Sequence, residues 1–257
     1  MMKEQIDVLY VGDSEFECGI FIKGFNAFFV TDFHDDSHWL KDALLENPSI
    51  KVTHMQCHAA VNDFPRTTEE LKRFHVLILS DVGSDTLVIY PGKLPPYRVP
   101  LGPNRLEAIE GFVHDGGGFI MVGGYLSFAG LHGMAKYHDT PVEKCLPVDV
   151  LPYDDRVEVP QGFTFKVTKP DHPIMAGIPW KEADFQLLGY NKLTLKNGAS
   201  LLAEYKGDPV IAVWEYGKGR SMVFASDPAP HWVGNFKDWK YYSKFWVQAV
   251  KWLAGMI

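Results

Sequence analysis

Cysteine is scarce, basic residues are outnumbered, and long hydrophobic runs are missing. The 257 residues include only Cys18, Cys57 and Cys145. Their odd number and wide spacing argue against a disulfide framework and fit a reducing, cytoplasmic compartment. Lys and Arg total 25 against 32 Asp and Glu, a formal net charge of −7. A chain of that sign has no general attraction for phosphate backbones or anionic lipid. Neither a nucleic-acid nor a membrane partner is therefore expected. No uninterrupted apolar run is long enough to span a bilayer. Residues 1–13 lack a basic segment leading into a long apolar run, and lack a small-residue cleavage site, so no signal peptide is expected. Internal repeats and low-complexity tracts are absent as well.

What remains is the material of a core. Hydrophobic residues make up 46% and aromatics 14% of the chain, which argues for a folded body rather than disorder. A single domain over residues 1–257 is the expectation, with antiparallel additions in its second half.

The first half alternates strand and helix signals. Residues 6–11 (IDVLYV) form a short apolar run that ends in the turn Gly12-Asp13-Ser14, a buried strand. Ser37 is placed to cap a helix on which Trp39, Leu40, Ala43 and Leu44 share a face, with Pro48 marking its end. Residues 51–55 read as a second strand. Residues 67–74 read as a short helix with a Thr67-x-x-Glu70 start. Residues 76–79 (VLIL) form a third strand ending at Ser80-Asp81. The Pro- and Gly-rich residues 94–103 read as loop. Asn104 caps a helix with apolar positions Leu106, Ile109, Phe112 and Val113 and an acid, Glu107, in its first turn. Gly116-Gly117-Gly118 stops it, and residues 119–122 (FIMV) are a fourth buried strand.

The second half reads as strands at residues 163–167, 200–205, 210–216 and 220–225. Gly217-Lys218-Gly219 joins the last two as a hairpin. Residues 238–253 close the chain as a helix with a broad face of Tyr242, Phe245, Trp246, Ala249, Val250 and Leu253. Residues 140–161 read as loop-rich. Strands separated by amphipathic helices predict an α/β fold: a flavodoxin-like, doubly wound, mainly parallel sheet with helices on both faces and antiparallel C-terminal strands.

In such a sheet, ligands bind beyond the carboxyl ends of the strands. Those ends carry Asp13 and Ser14, then Ser80 and Asp81, then Gly123, Gly124, Tyr125 and Ser127, and finally Asp227 and His231. Asp and Ser are also common in ordinary turns. Gly123-Gly124 after a buried strand reads as a strained turn lifting its central residue above the sheet and running into a helix.

Here the chain resembles the class I glutamine amidotransferase-like superfamily. The resemblance rests on GGGFIMVGGYLSF (residues 116–128), TKPDHPIMAGIP (168–179), GRSMVFASDPAPHW (219–232) and the C-terminal aromatic helix. It implies that Gly123-Gly124-Tyr125-Leu126-Ser127 stands where active members carry a Gly-x-Cys-x-Gly elbow. Tyr125 then replaces the nucleophilic cysteine and Ser127 the last glycine. Active members carry His-x-Glu late in the chain; here the region reads Ser226-Asp227-Pro228-Ala229-Pro230-His231-Trp232, without the glutamate. Amide hydrolysis by this route needs a thiolate. A phenol with an ordinary pKa near 10 is mostly protonated at neutral pH. Glutaminase activity is thus not expected. A small-molecule ligand or partner at the former active edge is.

Other readings compete. Asp81, Tyr125, Asp227 and His231 would serve a different hydrolase chemistry if they converge. Ser127, His231 and Asp227 suggest a triad, against which Ser127 reads more simply as a helix cap. Cys145 is a candidate nucleophile but reads better as a packing residue. His54, Cys57 and His58, and the cluster His34, Asp35, Asp36 and His38, match no zinc spacing, so neither metal nor cofactor is expected. Gly123-Gly124 offers backbone N–H groups to a phosphate but lacks the dinucleotide pattern. His172 and Pro173 read as structural. Trp232, Trp239, Trp246 and Trp252 would suit a sugar site or a homo-oligomer contact if exposed, and core if not.

Overall fold

The computed structural model describes residues 5–91 and 101–257. The chain opens with β1 (Ile6–Gly12), followed by a hairpin of β2 (Ser14–Lys23) and β3 (Asn26–Asp35). Helix α1 (His38–Leu45) leads to β4 (Ile50–Met55). Helices α2 (Cys57–Asp63) and α3 (Thr68–Leu71) precede β5 (Val76–Ser80). Helices α4 (Ser84–Val88) and α5 (Arg105–His114) precede β6 (Gly118–Val122). Then come α6 (Pro141–Cys145), β7 (Val148–Val150), β8 (Arg156–Phe163), β9 (Lys166–Val167), β10 (Leu187–Asn191) and β11 (Leu193–Leu195). The chain finishes with β12 (Ser200–Tyr205), β13 (Asp208–Tyr216), β14 (Gly219–Phe224) and α7 (Tyr242–Leu253).

The central sheet has eight strands in the order β4-β1-β5-β6-β14-β13-β12-β9. From β4 to β14 every pair is parallel; from β14 to β9 every pair is antiparallel. Val8 to Val11 and Val76 to Ile78 are fully buried, which explains why these strands are unbroken apolar runs rather than alternating ones. Helix α7 packs against β6, β14 and α1, and Ser243 Oγ donates to the Ala43 carbonyl at 2.7 Å across that helix contact. Phe245, Trp246, Ala249 and Val250 are wholly buried there.

Several expectations shift. Ser37 precedes α1, but its hydroxyl donates to Asp35 Oδ1 at 2.6 Å instead of capping the helix. Helix α3 has only four residues, although Thr67 Oγ1 does accept from the Glu70 N–H. The strand expected at residues 163–167 is the end of β8 and the two-residue β9, interrupted between them. The last helix begins at Tyr242, not 238, because Phe236–Asp238 forms a separate short turn of 3₁₀ helix. Residues 140–161, read as loop, hold α6, β7 and the start of β8. The loop expected at 94–103 lies largely outside the described residues. The hairpin β2–β3 was not foreseen at all.

Trp232, Trp239, Trp246 and Trp252 are all buried, so they are core and neither a sugar platform nor an exposed contact.

Candidate functional site at the carboxyl edge

Parallel pairing puts the ends of β1, β5, β6 and β14 on one edge. Asp13 follows β1, Asp81 follows β5, Tyr125 lies beyond β6, and Asp227 and His231 lie beyond β14. All five line one cavity of about 390 Å³. Ser14 and Leu126 line it too, and the hairpin base contributes Glu15, Phe16, His34 and Asp36. Cys57 and His58 close the wall from α2. Among the described residues that line the cavity there is no Lys and no Arg.

The carboxylates are held firmly. Tyr10 Oη donates to Asp13 Oδ2, and Ser80 Oγ donates to Asp13 Oδ1 at 2.9 Å. The Leu126 N–H donates to Asp81 Oδ1, and the Ala229 N–H to Asp227 Oδ1 at 3.0 Å. His231 Nδ1 lies 3.6 Å from Asp227 Oδ2. Burial, and then the charges of Asp227 and Asp81, push the Asp13 carboxyl well above the usual range. Burial, followed by the Asp81 charge, does the same to Asp227. Asp81 is raised by burial against the opposing Leu126 N–H. Burial lowers His231, favouring the neutral imidazole. Three acids therefore compete for negative charge in one space, as like charges must.

Tyr125 is half-buried with its ring edge on His231, centroids 4.1 Å apart. Its hydroxyl donates to Glu158 Oε1 at 3.3 Å, while Trp232 Nε1 donates to Glu158 Oε2. Burial and the Glu158 charge raise its pKa further. The strain expected at an elbow lies elsewhere. Asp13, Asp81 and His231 take φ of 47°, 54° and 135°, whereas Tyr125 has no positive φ. Left-handed backbone at non-glycine residues costs of order 1–3 kcal/mol each and concentrates at functional sites. No helix follows Tyr125 either; residues 123–130 form an irregular loop. Asp155 holds that loop by accepting from the Ala129 and Gly130 N–H groups, and Asn191 Oδ1 accepts from the Gly124 N–H. Gly123 is required because a Cβ would sit 2.3 Å from the Ala225 carbonyl oxygen.

Of the remaining expected residues, Ser14 lines the cavity and the others sit below or beside it. Ser80 is buried under Asp13. Ser14 Oγ accepts from the Cys57 N–H at 2.9 Å. Ser127 is buried with its Oγ accepting from the Asp81 N–H, so it neither caps a helix nor reaches the cavity in a triad. The N–H groups of Gly123 and Gly124 are taken by Phe224 and Asn191, which leaves no phosphate cradle. Cys145 is fully buried and its thiol pushed far up by desolvation. Cys57 does face the cavity, but burial pushes its thiol to about 11. His54 and His58 do not share a strand face, because α2 begins at Cys57. Away from the edge, His138, Asp139 and Glu143 gather ligand-type atoms within 4.8 Å of one another. Glu143 there already accepts from the Asp139 and Val150 N–H groups, a structural role. Glu15 and Phe16 were missed because the hairpin that carries them was missed, and His34, Asp36, Cys57 and His58 were weighed only as metal ligands; the signal for the hairpin was Lys23-Gly24-Phe25-Asn26 between two aromatic-rich runs.

A fold with a β-strand-edge site of this kind and the motifs around Tyr125 define a class. The GATase1_like family model, putative glutamine amidotransferase, matches residues 7–255, and the chain belongs to that family. Among solved structures it is similar to the cytoplasmic protein STM3548 of Salmonella typhimurium, at 33% identity and TM-score 0.88, covering 96% of this chain and 98% of that one. It is equally similar to the cytoplasmic protein STM1381 of Salmonella typhimurium LT2, at 35% identity and TM-score 0.88, covering 96% and 99%. None of the curated proteins matches. No helix among the described residues is long and apolar enough to cross a membrane.

Proposed function

We propose that this chain is an amidotransferase-like protein without glutaminase activity whose acidic cavity binds a small organic cation, such as a primary amine. The observation that carries this reading is the convergence of Asp13, Asp81 and Asp227 on one cavity whose described lining residues include no Lys and no Arg. A bound ammonium relieves the mutual repulsion of the carboxylates and lets them ionise. Glutamine fits less well, since its own carboxylate would face Asp13, Asp81 and Asp227 with no Lys or Arg among the described lining residues to pair it. The catalytic parts fit poorly too. Tyr125 supplies a protonated phenol, and the N–H after it, on Leu126, is the donor an oxyanion needs. Asp81 already occupies that donor. The parallel order β4-β1-β5-β6-β14 supports the flavodoxin-like, doubly wound reading. A cytoplasmic location is supported by the names of the two Salmonella relatives and by the unpaired cysteines.

The test is a thermal-shift panel of amines, neutral sugars and carboxylates on the full chain and on Asp81→Asn. Amines should raise the melting temperature, and Asp81→Asn should weaken their binding by about tenfold or more, in line with a lost charged hydrogen bond. Stabilisation by carboxylates alone would sink the proposal.

A second reading has its own observation. Asp227 and His231 lie 3.6 Å apart beside Tyr125, a carboxyl–imidazole arrangement suited to acid–base hydrolysis. Turnover of a chromogenic ester or glycoside that His231→Gln abolishes would favour it over simple binding.

A further inference from the structure

The acids of the cavity stand in two tiers. Asp13, Asp81 and Asp227 come from the ends of β1, β5 and β14, and Glu15 and Asp36 come from the base of the β2–β3 hairpin. In the hairpin ladder Glu15 pairs with His34, and Asp36 lies two residues beyond His34. Alternation therefore gives Glu15, His34 and Asp36 one face, and all three line the cavity. The Asp36 N–H donates to the Asp13 carbonyl at 2.9 Å, which seats this face beside the first tier. The tiers also act on each other. After burial, the Asp36 charge helps raise Asp13 and Asp227, and the Glu15 charge helps raise Asp81. One oxygen in the first tier awaits a partner. Asp227 is 6% exposed, and the Ala229 N–H holds its Oδ1. Its Oδ2 accepts no hydrogen bond among the described residues, and His231 Nδ1 stops 3.6 Å away. A polar atom buried that deeply without a partner is costly, and this one lies on the wall of a ligand-sized cavity.

Resting on the cation reading above, we infer that the ligand is an α,ω-diamine, with one ammonium among Asp13, Asp81 and Asp227, the other at Glu15 and Asp36, and the aliphatic chain along Tyr125 and Leu126. The spread of the acids chooses this class. Among the described residues, only His138, Asp139 and Glu143 bring three ligand-type atoms within 4.8 Å of one another, and none of them lines this cavity. A metal ion with oxygens at about 2.0–2.6 Å, or one ammonium with three acceptors at about 2.8 Å, needs a tighter grouping. Five acids dispersed over one wall suit a cation whose charges are dispersed as well. A monoamine answers one tier and leaves the other uncompensated. The rest of the wall suits the chain that joins two ammonium groups. Tyr125, Leu126, Ala229 and Pro230 give it an apolar stretch. Tyr125 is fixed there by its ring contact with His231, and Leu126 by its N–H to Asp81.

Calorimetric titration of the full chain at neutral pH tests this, with the α,ω-diaminoalkanes from ethylenediamine to hexamethylenediamine and with hexylamine as a chain of single charge. The best diamine should bind at least about fivefold more tightly than hexylamine, with an optimum length inside the series. Glu15 is exposed and Asp36 half-buried, so neither side chain supports the core. Glu15→Gln should lower the ratio of diamine to hexylamine affinity. Glu15→Gln with Asp36→Asn should bring it down to about twofold, the statistical advantage of two equivalent ends. Hexylamine binding as tightly as every diamine overturns this inference and leaves the cation reading standing. Failure of every amine to bind overturns both. A diamine advantage that survives the double substitution puts the second ammonium elsewhere and overturns the inference too. So does calcium or magnesium chloride that binds more tightly than any diamine and displaces it, since the acids then belong to a metal ion.

Discussion

The carboxyl edge of the sheet buries charge, while the hairpin beside it exposes aromatic rings. Asp13 and Asp227 are 9% and 6% exposed, yet Phe29 is 74% exposed. Each region inverts the usual arrangement of polar outside and apolar inside. Each is locally costly, and on the reading proposed above the cost at the acids is relieved by a bound cation. The central core, by contrast, needs nothing further.

The sharpest contrast is between a buried and a displayed aromatic. Trp246→Ala should cost about 3–5 kcal/mol in urea unfolding, as a large-to-small core change does. Phe29→Ala, measured in dilute protein, should stay within about 0.5 kcal/mol. A large loss for Phe29→Ala would show that the hairpin is packed after all.

The buried acids predict an unusual pH profile. Asp13 and Asp227 are raised above their ordinary value of 3.8. The folded chain thus retains protons that the unfolded chain releases. Their contribution to stability is fully present below 3.8 and is lost as pH rises through the raised folded values. Asp154 works in the opposite sense: its pairing with Arg156 holds its carboxyl low, and that stability is lost in strong acid. The unliganded chain should melt highest in mild acid and decline toward alkaline pH. Asp13→Asn should flatten the decline and add about 1–2 kcal/mol at alkaline pH by removing a buried charge. A melting temperature that climbs steadily from mild acid to alkaline pH would contradict this account of the edge.

The smallest expected effect is none. Tyr125→Cys supplies the nucleophile that the superfamily resemblance implies for active members, but not their elbow, their oxyanion donor or a thiolate-favouring field. Ammonia release from glutamine should remain at background in a coupled glutamate dehydrogenase assay. Robust release would show that the single residue alone silences the site.

The legible parts of the fold were those whose sequence records burial. The runs IDVLYV, VLIL and FIMV are apolar because both faces are covered, so they read as strands. The Gly217-Lys218 hairpin read correctly because the turn chemistry is local. The β2–β3 hairpin was illegible for the same physical reason that it is interesting: its rings are not buried, so its pattern matched no core template. At the edge, topology brought the named Asp, Tyr and His residues together. The strain at Asp13, Asp81 and His231 was not readable, since left-handed φ values there follow from how three separate loops close. Nor was the occupation of the Leu126 N–H by Asp81, a contact across 45 residues.

Calorimetric titration of a small primary amine, run in mild acid in buffers of different ionisation enthalpy, tests the central claim most directly. If the cavity is a cation site built from protonated buried acids, binding must release protons, and the observed heat must vary with the buffer. Amine binding without proton release, or tighter binding of a carboxylate than of the amine, would contradict the account.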